Sequence, residues 1–198
     1  RGQFMQEAVP VGVGSMAAII GLEIDTLQQL CDQISEDSCI VQPANLNSPV
    51  QIVIAGHKEA VEQVSEKALK AGAKKAVLLP VSAPFHSALM KPAEIKLQKE
   101  LEQTEFYDLS YPVITNIEAK PITKGSEARS ALVKQVCSPV RWSETMQVLV
   151  DQGIETVIEL GAGKVLSGLI KRFNRSIKCY QVGDRESLSQ TLAALNGN

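Results

Sequence analysis

The order of apolar patterns over residues 15–82 constrains this chain more than any other feature. Residues 15–22 (SMAAIIGL) form a short, nearly continuous apolar run that reads as a strand. Residues 24–34 then place Leu27, Leu30, Cys31 and Ile34 on one face at helical spacing. Residues 39–46 and 51–55 read as two strands joined at Asn47-Ser48-Pro49, a composition that favours a turn. Residues 57–71 return to helical spacing, with Ala60, Val61, Val64, Ala68 and Leu69 on the apolar face. Gly72 follows, where a glycine ends a helix in a left-handed conformation. Residues 75–81 read as a buried strand.

Strand, helix, strand, strand, helix, strand is the order of a ferredoxin-like unit. Beyond Pro84 the rhythm changes. Helical patterns cover 87–103, 126–137, 143–152, 164–173 and 186–195, and short apolar runs at 113–116, 156–160 and 178–182 read as strands. Strands that alternate with helices imply a parallel sheet covered on both faces. The expected fold is therefore α/β, a small βαββαβ unit followed by part of a larger α/β domain.

Composition narrows the function. Apolar residues make up 44% of the chain and aromatics only 4%, so the core is aliphatic. Twenty basic residues stand against 22 acidic ones. That balance lacks the basic surplus expected of a nucleic-acid partner. The four cysteines, Cys31, Cys39, Cys137 and Cys179, form no C-x-x-C pair, and no His stands at zinc-ligand spacing from them. They read as reduced thiols of a cytoplasmic protein, and no metal site is expected. The longest apolar run, around 16–22, is too short to cross a bilayer, and no basic leader precedes an apolar stretch. The opening Arg1-Gly2-Gln3-Phe4-Met5-Gln6-Glu7 reads as a chain already in progress, so an N-terminal truncation is expected.

Only two histidines occur. His57 stands at the start of a helical pattern, where a solvated, non-functional role is the expectation. His86 lies in Val81-Ser82-Ala83-Pro84-Phe85-His86-Ser87, between a strand and a helix. In α/β proteins such strand ends open into the crevice where functional groups gather. A lone imidazole has no base function without a nucleophile, so the residues by themselves leave His86 open between structure and chemistry. Gly161-Ala162-Gly163-Lys164 is no phosphate loop, because Ile158 stands where a Gly is required and Val165 replaces Ser/Thr. Lys67, Lys70, Lys74 and Lys75 read as a solvated face, with steering of an acidic partner as the less favoured use.

Pro80-Val81-Ser82-Ala83-Pro84-Phe85-His86-Ser87-Ala88-Leu89-Met90 resembles the catalytic-histidine segment of the malonyl-CoA:acyl carrier protein transacylases. Four further stretches resemble the same family in the same order. They are 1–6 (RGQFMQ), 45–49 (NLNSP), 54–57 (IAGH) and 159–166 (ELGAGKVL). Each is weak alone, and jointly they are specific. The resemblance is to the stand-alone transacylases of bacterial fatty-acid synthesis more than to polyketide synthase domains. It implies a hydrolase-like parallel-sheet core carrying a ferredoxin-like subdomain. Residues 1–14 would be a remnant of that core, 15–82 the subdomain and 83–198 the core's C-terminal part.

The resemblance also implies a ping-pong reaction. A serine in a G-H-S-x-G elbow takes the malonyl group from malonyl-CoA and passes it to the phosphopantetheine thiol of acyl carrier protein. His86 matches the general base, and Gln135 matches the residue whose backbone carbonyl orients it. Arg1 matches the arginine that holds the malonyl carboxylate, and Met5 a residue of the acyl pocket. Asn45, Asn47 and Gln51 match polar positions near the cleft. Phe85 precedes the base where related polyketide enzymes that select malonyl carry Phe and those that select methylmalonyl carry Ser. No bound cofactor, nucleic acid or membrane is implied, and the full-length protein is expected to be a monomer.

No G-x-S-x-G occurs in these residues. The nucleophile is therefore expected upstream of Arg1, and the chain by itself is expected to be inactive. The alternatives are an inactive fragment that binds carrier protein, or an acyltransferase of different acyl specificity.

Overall fold

The computed structural model describes residues 1–197. By its internal packing the chain divides into two units, one of residues 1–145 and the other from Met146 onward.

In the first unit, β1 (Gly14–Ile20), α2 (Ile24–Ile34), β2 (Val41–Ser48), β3 (Gln51–His57), α3 (Lys58–Lys70) and β4 (Lys75–Leu78) follow the expected order. They build an antiparallel four-stranded sheet in the order β2-β3-β1-β4, the ferredoxin-like arrangement. Alternate residues of each strand face opposite sides. Ala17, Ile19, Ile52 and Ile54 meet Leu27, Cys31, Val61 and Val64 of the two helices in the main core. Each large aliphatic side chain buried there contributes on the order of 1.5–3 kcal/mol. Met16, Ala44, Val53 and Ala55 face the other side and pack with Leu79 and Phe85.

Three local expectations are corrected. The turn between β2 and β3 falls at Pro49-Val50, because β2 continues through Asn47 to Ser48 with two register shifts. The strand expected at 75–81 stops at Leu78 and is largely exposed. It is an edge that pairs only with β1, so its apolar run covers less core than a central strand would. His57 ends β3 and accepts a hydrogen bond on Nδ1 from the Ile40 N–H at 2.9 Å, so it is a structural residue more than a solvated one.

Gly56 is where β2 and β3 approach too closely for any side chain. A Cβ there would lie 2.1 Å from the Ile40 carbonyl oxygen and 2.6 Å from the Val41 Cα. Backbone atoms held in a sheet cannot move aside as a flexible side chain can. Gly56→Ala is expected to destabilise the whole protein by about 2–3 kcal/mol, the upper range for overpacking, read as an earlier denaturant midpoint.

The same unit holds α1 (Gly2–Glu7), α4 (Lys91–Glu102), β5 (Val113–Ile114), β6 (Pro121–Ile122) and α5 (Gly125–Lys134), and α6 (Trp142–Asp151) follows. No periodic signal marked the six-residue α1. It is held by packing, with Met5 and Val9 buried against Met90, Ala93 and Leu97. The expected strand at 113–116 is one arm of an antiparallel pair, with β6 as the other. Two-residue strands, one of them starting with Pro121, leave almost no pattern to read.

In the second unit, β7 (Thr156–Leu160) and β8 (Lys178–Val182) pair in parallel, from Thr156 opposite Lys178 to Leu160 opposite Val182. With α7 (Val165–Phe173) and α8 (Arg185–Asn196) they form the strand–helix alternation of a parallel α/β core. The Glu159 carboxylate accepts from the Leu166 and Ser167 N–H groups, at 3.0 and 2.8 Å, at the start of α7. A carboxylate of the chain itself thus occupies the donors that a phosphate loop would offer.

Candidate active site

After β4 the chain runs through residues 79–87 without helix or strand, yet it is tied at almost every step. The Leu79 N–H donates to the Met16 carbonyl, the Ser82 hydroxyl to Gln6 Oε1 and the buried Ser87 hydroxyl to the Pro84 carbonyl. Pro84 is fully buried against Gly14, where a Cβ would come within 2.4 Å of the proline ring. Phe85 is half-buried and packs both on the cluster of α1 and α4 and on the second face of the sheet. This anchoring fixes His86, whose φ is +60°. A left-handed backbone costs a non-glycine residue about 1–2 kcal/mol, so the surrounding contacts must hold it there.

The His86 ring meets the end of α5. Its Nδ1 lies 3.0 Å from the Gln135 carbonyl oxygen. A carbonyl can only accept, so Nδ1 carries the proton and Nε2 is left with a free lone pair, the form a general base requires. The partner is available for a helical reason. Gln135 caps α5, and the last carbonyls of a helix have no partner within it. The negative end of the helix dipole also favours the imidazolium that forms when the base takes a proton.

Two opposing influences set the proton affinity of His86. Burial lowers its pKa most, and the nearby Arg1 charge lowers it further, while hydrogen bonds from the ring to the Gln135 and Ser138 backbones raise it. Burial wins, and the ring titrates below the ordinary histidine value. It is therefore neutral, and able to accept a proton, at physiological pH.

The remaining residues singled out from the sequence fall into distinct places. Arg1 precedes α1 on the surface, yet enough protein surrounds its guanidinium to lower its pKa by desolvation, and its charge reaches His86. Met5 is 3% exposed, a core residue of the α1 and α4 cluster. Asn45 stands opposite Val53 and Gln51 two residues before it on β3, so both belong to the face on which Phe85 packs. Asn47 occupies a bulge in β2 and has no cross-strand partner in the ladder. Cys31, Cys39, Cys137 and Cys179 are all unpaired. Among the described residues, no group of three or more His, Cys, Asp or Glu could hold a metal ion. Also among them, no helix is long and apolar enough to cross a membrane.

Two contributors escaped the sequence reading. Gln42 on β2 hydrogen-bonds the segment that carries His86. Val140 pairs with the same strand beside Asn45 and exchanges backbone hydrogen bonds of 2.8 Å with Ala44 and Leu46. A polar residue before Pro43, next to the apolar start of the strand, was the one available signal for Gln42.

Comparison with known proteins places this arrangement. An acyl transferase domain model matches residues 1–188. The malonyl CoA-acyl carrier protein transacylase of Bacillus subtilis (strain 168) is 47% identical over 201 residues, covering all of this chain and 63% of that protein. The chain thus spans about three-fifths of that relative's length. Its counterpart in Staphylococcus aureus (strain MSSA476) is 44% identical over 188 residues, covering 95% of this chain and 61% of the relative. Among solved structures, an acyl carrier protein S-malonyltransferase from Vibrio cholerae superposes with a TM-score of 0.91 at 46% identity, covering 96% of this chain and 62% of that one. A malonyl-transacylase in complex with a type II polyketide synthase acyl carrier protein also gives 0.91, at 44% identity, covering 100% of this chain and 62% of that one. With a model match over nearly its whole length, the chain belongs to the acyl transferase domain family.

Proposed function

We propose that the protein containing this chain transfers a malonyl group from malonyl-CoA to the phosphopantetheine thiol of acyl carrier protein, through a malonyl-serine intermediate. The observation that carries the reading is the hydrogen bond of His86 to the Gln135 carbonyl, which presents a neutral imidazole with Nε2 free. The nucleophilic serine would lie N-terminal to Arg1. His86 takes the serine proton as Oγ attacks the thioester carbonyl, and returns it to the CoA sulfur as the carbon–sulfur bond breaks. In the second half the pantetheine thiol gives its proton to His86 and attacks the ester carbonyl. The ester bond breaks, and the serine recovers its proton.

Arg1 would hold the malonyl carboxylate by paired hydrogen bonds, a geometry that suits guanidinium better than ammonium. Asn45, Asn47 and Gln51 would meet the pantetheine arm, and Met5 would back the acyl pocket from within the core. No bound cofactor is required, since CoA and phosphopantetheine enter as substrates. Residues 15–82 would form a subdomain of a larger core to which residues 1–14 and 83–198 belong, in a monomeric protein, and the ferredoxin-like strand order favours the subdomain part of that reading. Four unpaired thiols suit a reducing, cytoplasmic setting.

The test is to incubate the whole protein with labelled malonyl-CoA and holo acyl carrier protein. Label is expected on the carrier protein and, transiently, as a serine ester on the enzyme, whereas the 198-residue chain alone should form no ester. An ester on the isolated chain, or carrier binding without transfer by the whole protein, would sink the proposal.

Phe85 gives a finer test of acyl choice. It directly precedes the base in sequence, where its ring would leave little room for a branch at the substrate's α-carbon. One methyl contact is worth about 1–3 kcal/mol of discrimination, or roughly ten- to two-hundredfold. Phe85→Ser is expected to raise the kcat/KM ratio of methylmalonyl-CoA to malonyl-CoA within that range. An unchanged ratio would reduce Phe85 to a packing residue.

A further inference from the structure

We propose that Gln42 is a positioning residue for the general base, one that holds His86 in its left-handed conformation through the backbone while Gln135 holds its ring. This rests on the transacylase reading only for its effect on rate.

The argument starts in β2. Gln42 precedes Pro43, and a residue before proline is pressed into extended backbone, so its direction is set before any tertiary contact forms. Pro43 itself is tolerated because β2 is an edge of the sheet. Gln42 stands opposite Ala55, so it shares the face of the sheet that carries Ala55, Val53 and Phe85.

From there its carboxamide grips the backbone that leaves His86. Gln42 Nε2 donates to the His86 carbonyl at 3.4 Å, and Gln42 Oε1 accepts the Ala88 N–H at 3.1 Å. The two partners settle which end of the amide is which, since a carbonyl only accepts and an N–H only donates. The two peptide groups it joins, His86–Ser87 and Ser87–Ala88, flank Ser87 and follow directly on His86. Holding both restrains His86, the residue here with φ +60°, from its C-terminal side. Without them, the chain is free to relax toward an ordinary φ and swing the imidazole away from Gln135.

The same strand holds the other partner. Two residues beyond Gln42, the Val140 N–H donates to the Ala44 carbonyl, and the Leu46 N–H donates to the Val140 carbonyl, both at 2.8 Å. The segment that follows Gln135 is thereby fastened to β2. One strand therefore registers both ends of the His86–Gln135 hydrogen bond, through a side chain for the base and through backbone for the carbonyl.

The test uses the whole protein, with Gln42→Met, which keeps length and loses both hydrogen bonds, and Gln42→Glu, which keeps only the acceptor. Malonyl transfer kinetics are read beside the ¹⁵N shifts of His86, assigned by comparison with His86→Gln. In Gln42→Met, kcat is expected to fall about ten- to a hundredfold, the scale of a misplaced reacting group, with KM for malonyl-CoA within about twofold. The His86 shifts should move from a single Nδ1–H tautomer toward a mixture, and Gln42→Glu should lie between Met and parent. A parental tautomer in both variants overturns the proposal, whether kcat is unchanged or falls together with KM and thermal midpoint. If the parent transfers no malonyl group, the functional reading fails, and the ¹⁵N shifts still decide whether Gln42 sets the ring. Should Gln42→Met not fold, Gln42→Glu with a parental tautomer and parental kcat is the overturning result.

Discussion

Replacing His86 by Ala in the whole protein is expected to lower malonyl transfer to carrier protein by at least about a hundredfold, the scale lost with a general base. In the proposed mechanism both half-reactions would route a proton through Nε2, so both should slow. His57→Ala is the control. It removes the Nδ1 acceptor of the Ile40 N–H and should cost about 1 kcal/mol of stability with little change in rate. Equal rate losses from the two variants would mean that the base is misassigned or that both changes unfold the protein. The acid limb of the parent's pH–rate profile adds a second readout. Burial holds His86 below the ordinary value of about 6.5, so the rate should persist below that pH and fall only as the ring protonates. Stability follows the same sign. The unfolded chain takes up a proton near 6.5, while the folded ring resists it. Stability present above that pH is therefore lost as pH falls toward the folded value, and His86→Ala should flatten that slope.

Arg1→Ala should lower kcat/KM for malonyl-CoA by about a hundredfold while leaving acetyl-CoA use unchanged or improved. Removing one partner of a desolvated, hydrogen-bonded charge pair typically costs about 2–5 kcal/mol, because the other charge stays unpaired. Acetate has no second carboxylate and loses nothing. Arg1→Lys should recover part of the loss, since an ammonium cannot reproduce two parallel hydrogen bonds. The substitution also has an electrostatic consequence at the base. The Arg1 charge helps to depress the His86 pKa, so Arg1→Ala should move the acid limb to higher pH for every acyl donor. Parallel losses for malonyl and acetyl, with the acid limb unmoved, would assign Arg1 to structure.

Much of the fold was legible because local chemistry and tertiary structure agree there. The helix read at 24–34 is α2, and the strands read at 156–160 and 178–182 are β7 and β8, each with the bounds read from pattern. Periodicity, a flanking glycine and an aliphatic run report what a segment buries whatever it is packed against. The βαββαβ order then leaves few ways to close a sheet, and the chain takes the ferredoxin-like one. Where segments are short, the signal vanishes. The six residues of α1 and the two-residue strands β5 and β6 are stabilised by neighbours, and no window of sequence contains those neighbours.

The candidate site divides along the same line. His86 stood out because it follows a strand and matches a motif, and Gln135 because of resemblance alone. Sequence by itself determined which groups are present: an imidazole, a guanidinium, a phenyl ring before the base and a proline that stiffens the strand bearing Gln42. Only the tertiary structure decided that the imidazole is neutral, that its Nδ1 faces a helix-end carbonyl and that β2 fastens both partners. The physical reason is distance along the chain. His86 lies 49 residues from Gln135 and 44 from Gln42, so their hydrogen bonds exist only once the sheet has brought them together. Desolvation is likewise a property of what surrounds a group, and a residue's identity carries no record of its surroundings.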